Sequence, residues 1–127
     1  MKKVIATNQA PAAIGPYSQG IEASGRMIFV SGQIPINPAT GNIEATTIEE
    51  QTRQSLTNVK NILEAAGARL SDVVKTTVLL SDIGDFAAMN GVYAEFFKGD
   101  CPARAAFQVA AIPKGAKVEI EAIAVLN

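Results

Sequence analysis

Apolar positions along the chain follow two periods, and each predicts a different kind of element. Behind Thr47-Ile48-Glu49-Glu50 they recur every three or four residues. That tetrad reads as a capping box, the Thr47 hydroxyl and the Glu50 carboxylate each closing free backbone amides. It predicts a helix that buries Ile48, Thr52, Ser55, Leu56, Val59, Ile62, Leu63 and Ala66 and stops at Gly67. A second helix is predicted from near Asp82 or Asp85. It carries Phe86, Met89, Val92, Tyr93, Phe96 and Phe97 on one stripe and closes at Gly99.

Strand patterns fill the rest. Val4 to Ala6 predicts a short strand, followed by a loop from Asn8 to Pro16. Between Tyr17 and Ile34 two strands are predicted as a hairpin around Ala23-Ser24-Gly25-Arg26, with Gly25 supplying a positive φ. The second of them ends at Ser31-Gly32-Gln33, where Gly32 leaves room for a backbone or a ligand. Val73 to Leu80 reads as an interior strand. Two more are predicted, about Arg104 to Ala111 and Val118 to Leu126, around a turn at Pro113-Lys114-Gly115.

Strands, helix, strand, helix, strands is the order of an α+β domain, a mixed sheet with two helices packed on one face. Residues 27–30, 78–80 and 122–126 are nonetheless apolar on both faces. At about 25 cal/mol per Å² of exposed apolar surface, a wet second face is unfavourable and sticky. A closed homo-oligomer, with each sheet's bare face turned inward, is the expected solution.

Composition narrows the chemistry. The 127 residues make one domain, 1–127, with 48% hydrophobic and 18% charged residues, which argues against disorder. A net charge of −1 with scattered Lys and Arg argues against gripping nucleic acid by charge. The first five residues are too short for a signal peptide, and no apolar run reaches the roughly 18 residues of a membrane span. One cysteine makes no intrachain disulfide, so a cytoplasmic setting is expected. With no histidine and one cysteine, acid–base work falls to Asp, Glu, Tyr or Lys, and no metal site is expected.

Several residues stand out against this background. Glu119 and Glu121 share one face of the last strand, about 6.6–7 Å apart by strand rise. They mark either a strand end emerging into solvent, which pattern alone favours, or a water-positioning carboxylate at the edge of a buried sheet. A glycosidase pair is rejected, because the chain has no Trp and only 6% aromatics for sugar stacking. Arg104 is either a surface partner for one of those glutamates or a forked donor for a carboxylate or phosphate, with small neighbours leaving room for a ligand. Tyr17 is a hairpin plug or a pocket wall, Ser31-Gly32 a strand-end bulge or a backbone ligand site, and Asn90 an interface amide. Cys101 reads as a small hydrophobe.

Four segments carry a resemblance over essentially the whole chain. Ala13-Ile14-Gly15-Pro16-Tyr17-Ser18-Gln19, Val30-Ser31-Gly32-Gln33-Ile34-Pro35, Pro102-Ala103-Arg104-Ala105 and Val118-Glu119-Ile120-Glu121-Ala122-Ile123-Ala124 closely resemble the RidA/YjgF family. The resemblance implies a chorismate mutase-like fold, assembled as a homotrimer whose sheets form a central barrel with ligand clefts between subunits. It implies cofactor-free hydrolysis of 2-imino and enamine acids (2-iminobutanoate, 2-iminopropanoate) to 2-oxo acids and ammonia. Such imines are released by pyridoxal phosphate-dependent dehydratases. In these terms Arg104 would hold the substrate carboxylate, aided by the Ala106 backbone amide. Glu119 would position the attacking water, and Tyr17, Ser31, Gly32 and Asn90 would line the cleft, some from a neighbouring subunit. Two positions depart from the pattern: Ala106 stands where many relatives have cysteine, and Cys101 where they usually have an aromatic residue. The alternatives are a non-catalytic trimeric binder of small 2-oxo or amino acids, and an endoribonuclease or translation inhibitor, which the net charge weakens.

Overall fold

The computed structural model describes residues 1–127, and its first helix starts where the capping pattern places it. The Thr47 hydroxyl accepts from the Glu50 N–H at 3.1 Å. Glu50 does not return the bond to a backbone amide; its carboxylate accepts from the Thr47 hydroxyl at 2.9 Å, so only half of the box is built. The helix, α1, runs Ile48–Ala65. Gly67, at φ +80°, closes it, and the Ala68 N–H reaches the Leu63 carbonyl at 2.8 Å.

Its buried face holds Ile48, Thr52, Ser55, Leu56, Val59 and Leu63 as the spacing predicts. Ile62 and Ala66 differ, being exposed. Gln51 is buried instead. Gln51 and Ile62 lie on one edge of the stripe, eleven residues and so three turns apart. Only the Gln51 end is roofed: its Nε2 donates to the Ala45 carbonyl at 3.0 Å, and its Oε1 accepts from the Lys117 N–H at 2.8 Å.

Four strands form the main sheet: β3 (Arg26–Gln33), β4 (Val73–Leu80), β5 (Ala103–Gln108) and β6 (Val118–Leu126), in the order β3-β6-β4-β5. β6 is antiparallel to β3 and β4, and β5 is parallel to β4. β5 stops short of the expected Ala111 because β4 ends at Leu80. The last backbone bond, Val109 N–H to the Leu80 carbonyl at 2.9 Å, uses up its neighbour. A 3-10 turn at Pro113–Gly115 links β5 to β6, with Lys114 and Gly115 both at positive φ.

β1 (Lys2–Ile5) and β2 (Gly20–Ala23) form a separate antiparallel pair. The predicted hairpin between β2 and β3 is therefore a turn but not a pairing. Gly25 has positive φ, and a Cβ there would collide with the Leu126 carbonyl, so the turn hugs the end of β6. β3 leaves it to pair with β6, where Phe29 faces Ile123 and Val30 faces Ala122.

The second helix, α2 (Phe86–Phe96), follows a 3-10 turn at Ile83–Asp85 and packs beside α1 on one face of the sheet. Val30, Leu56, Leu63, Val78, Leu80, Met89, Tyr93, Val118 and Ile120 form the core between them. No helix covers the opposite face. There Phe29 is 68% exposed, Met27 56% and Phe107 46%, so the two-faced apolar strands do leave a bare surface. No helix is long and apolar enough to cross a membrane.

Candidate functional site

Strand register decides where each candidate side chain goes. β5 lies against β4 with Arg104 opposite Thr76, which is buried and faces the helices. Arg104 therefore points toward α2. Its Nη1 donates to the Asn90 Oδ1 at 2.7 Å. Its guanidinium carbon lies 4.7 Å from the centre of the Tyr93 ring, 5.5 Å from Phe86 and 5.6 Å from Tyr17. Phe86, Asn90 and Tyr93 are spaced four and three residues apart, so one face of α2 presents a ring, an amide and a ring to the cation.

Tyr17 reaches the guanidinium from the loop before β2. That loop is clasped to the start of β5: the Ser18 N–H bonds to the Pro102 carbonyl at 3.1 Å, and the Ser18 hydroxyl donates to the Cys101 carbonyl. Gly15 faces Asn90 from the same loop; a Cβ there would stand 3.6 Å from the Asn90 amide nitrogen, an ordinary contact.

Arg104 is half-buried, and burial pulls its pKa below the ordinary arginine value. No carboxylate offsets that burial. The one ion pair in the chain is Arg53 with Glu95, at 2.8 Å on the surface. Arg104 thus has no surface pairing with Glu119 or Glu121. Three ring faces and one neutral amide partly replace water around a cation whose remaining N–H groups have no partner in the chain. A desolvated guanidinium in that state favours an incoming anion, and its planar fork suits a carboxylate.

Glu119 occupies the other face. It lies opposite Leu79 in β4, one step out of phase with the core-facing Val78–Ile120 pair. Its carboxylate is folded over Gly32, beside the bulge between Val30 and Gln33 in β3. A Cβ at Gly32 would stand 2.9 Å from the Glu119 Cδ and would collide with Oε2. Ser31 is exposed on this face. It lines a depression of about 230 Å³ with Phe29, Lys75, Thr77, Glu121 and Ile123. Glu121 is exposed and opposite Thr77, so it is a bare-face residue and no partner of Arg104.

The predicted residues thus fall into two sets. Tyr17, Asn90, Arg104 and Ala106, which shares the Arg104 face opposite Val78, stand on the helix side. Ser31, Gly32 and Glu119 stand on the bare side. A single chain does not bring them together. Phe86, Tyr93 and Thr76 belong to the first set and were not singled out from the sequence. The first two looked like core on an apolar stripe, and Thr76 like an ordinary strand residue. Burial raises the Cys101 thiol pKa, and its Sγ lies 3.5 Å from the Phe97 carbonyl, in keeping with a small hydrophobe. No group of His, Cys, Asp and Glu side chains is arranged to hold a metal.

Comparison with known proteins gives a consistent result. A family model described as Endoribonuclease L-PSP matches residues 7–126. The 2-iminobutanoate/2-iminopropanoate deaminase of Escherichia coli K12 is 55% identical over 128 residues, 98% of each chain. That of Capra hircus is 53% identical over 125 residues, covering 98% of this chain and 90% of the goat protein. Among solved structures, E. coli TdcF with bound serine superposes with a TM-score of 0.77 at 48% identity, covering 98% of this chain and 99% of TdcF.

Proposed function

Because the chain belongs to the RidA/YjgF family, we propose that it hydrolyses 2-iminobutanoate, 2-iminopropanoate and their enamine tautomers to 2-oxo acids and ammonia. The observation that carries this is Arg104, a half-buried guanidinium caged by aromatic rings and lacking any carboxylate of its own. Relatives about half identical over nearly their full length bear the name of that activity.

In this mechanism Arg104 binds the substrate carboxylate through two parallel N–H bonds, with the Ala106 backbone amide beside it. Glu119 accepts a hydrogen bond from a water and directs its oxygen at C2. The new C–O bond forms as the C=N electron pair moves to nitrogen. As Glu119 relays the water's protons from oxygen to nitrogen, the carbinolamine collapses, the C–N bond breaks, and ammonia leaves behind the 2-oxo acid. A protonated imine is already strongly electrophilic, so fixed orientation matters more than a strong base. Histidine is not required.

The two residues act together only if different copies supply them. We propose a homotrimer with its sheets around a central barrel. In each cleft the Arg104 side of one copy faces the Glu119, Ser31 and Gly32 side of the next. What supports this is the bare apolar face, the outer edge of β3 left free at one end of the sheet, and the opposite facing of the two half-sites. The imines would come from pyridoxal phosphate-dependent dehydratases in the same compartment, the cytoplasm, where the free thiol of Cys101 stays reduced.

Serine bound to TdcF favours one second reading, a binder of small amino or 2-oxo acids that uses the same arginine without turnover. The endoribonuclease description finds no basic track for phosphates in a chain of net charge −1. One experiment separates enzyme from binder. Imine is supplied by a threonine dehydratase, and the appearance of 2-oxobutanoate is timed with wild type, Arg104→Ala and Glu119→Gln. Wild type accelerates it and neither variant does. Mixing the two inactive variants then restores activity, to roughly a quarter of wild type for random assembly of sites built from two neighbouring copies. No acceleration by wild type would leave the binder, and no recovery on mixing would rule out the shared site.

A further inference from the structure

Beneath Arg104 lies a polar contact that the reaction does not use. The Tyr93 phenol and the Thr76 hydroxyl are hydrogen-bonded at 2.7 Å, and both residues are at most 1% exposed. Their neighbours are apolar core, including Leu56, Val78, Met89 and Ile120. Burial pushes the phenol pKa up to about 12, so the group is neutral at any physiological pH. An apolar pair of the same shape, Val with Phe, would fill the space with little change in stability.

What the hydroxyls supply is direction. Thr76 is the register partner of Arg104, and Tyr93 is the ring closest to its guanidinium. The bond ties α2 to β4 at the point where the cation rests. Asn90, one turn earlier on α2, makes the only hydrogen bond to that cation from within the chain.

We propose that Thr76 and Tyr93 are positioning residues, their hydroxyl pair fixing the plane of the Arg104 guanidinium and so the direction of its free N–H groups. The inference rests on Arg104 being the carboxylate clamp. It extends the site one layer inward, to two side chains that touch no substrate.

Thr76→Val and Tyr93→Phe each strand one buried hydroxyl and lower the melting temperature. The double variant removes both and recovers most of that loss. Affinity should not recover with it. The probe is 2-oxobutanoate, titrated by calorimetry into wild type and the double variant, with kcat and KM measured alongside. The expected result is a Kd and KM raised about tenfold, with kcat little changed, as for lost uniform binding. The Arg104 side-chain Nε–Hε resonance, assigned by its absence in Arg104→Lys, should shift in the double variant without ligand. A double variant with wild-type Kd and an unmoved resonance would overturn the proposal. If wild type itself neither turned over imine nor bound 2-oxobutanoate, the proposed function would fail. The resonance alone would then decide, a shift upholding the positioning role and no shift removing it.

Discussion

A methyl group added at Gly32 tests whether the position of the Glu119 carboxylate controls catalysis. Gly32 is not in the left-handed region, so its backbone accepts alanine. The new Cβ would lie 2.9 Å from the Glu119 Cδ and 3.1 Å from Cγ, and nearer still to Oε2. Carbon atoms rest about 3.5–4.0 Å apart, so Cδ must retreat by roughly 0.6–1.1 Å. A glutamate side chain can do so by rotating, at a cost of about 0.5–1.5 kcal/mol. The lower unfolded-state entropy of alanine returns about 0.4–1 kcal/mol. Stability should therefore change by less than about 1 kcal/mol. A catalytic group misplaced by about 1 Å can lower the rate on the order of 100-fold, about 2.7 kcal/mol of barrier.

The assay is the coupled conversion of dehydratase-derived imine to 2-oxobutanoate, corrected for spontaneous hydrolysis. Gly32→Ala should melt like wild type and lose most of its kcat/KM. Added to Glu119→Gln it should cost nothing more, because both changes act through one side chain. Wild-type activity in Gly32→Ala, or losses that multiply in the double variant, would refute the link between the two residues.

Three further outcomes are expected. Phe29→Asp places a charge on the bare sheet face, where association would otherwise bury a 68%-exposed ring worth about 3 kcal/mol per copy; light scattering should show monomers, and an unchanged assembly mass would mean that this face is not the interface. Thr52→Val removes a buried α1 hydroxyl that has no hydrogen-bond partner, so the protein should gain about 1 kcal/mol and melt about 3–5 °C higher. A lower melting temperature would mean that the hydroxyl is satisfied after all. Folding holds the Tyr93 proton up to about pH 12, whereas the unfolded chain releases it near 10. The folded state thus binds more protons in that window, and about 2–3 kcal/mol of stability present below pH 10 is lost between 10 and 12. Denaturant melts at pH 9 and 12 should show that extra loss in wild type and not in Tyr93→Phe.

Local signals carried much of the fold. β4 and β6 have the bounds that their alternation predicts, and α1 begins behind Thr47 and ends before Gly67. Those limits come from neighbours in sequence, where hydrogen-bonding side chains and permissive backbone sit within a few residues of the effect. The bare face was equally legible, since a strand apolar on both sides needs two covers whatever its partners. Gln51 and Ile62 were misjudged, because burial along that edge of α1 depends on what packs over it, the Ala45 loop and remote Lys117 at the Gln51 end.

The opening of the site into two halves lay beyond the sequence. Alternation along Val118–Leu126 shows that Glu119 and Glu121 share a face, but Ala103-Arg104-Ala105-Ala106 alternates nothing that would orient Arg104. Facing between strands is set by register, and register appears only when Thr76 meets Arg104 and Leu79 meets Glu119. The same holds for the Tyr93–Thr76 bond and for the contact of Glu119 with Gly32, each a long-range meeting of residues that look ordinary in their own segments. From the sequence alone came the parts, the missing histidine and the sheet face left bare. Tertiary structure decided that Arg104 and Glu119 back onto opposite faces, because their register partners in β4, Thr76 and Leu79, are an odd number of residues apart in an element of period two.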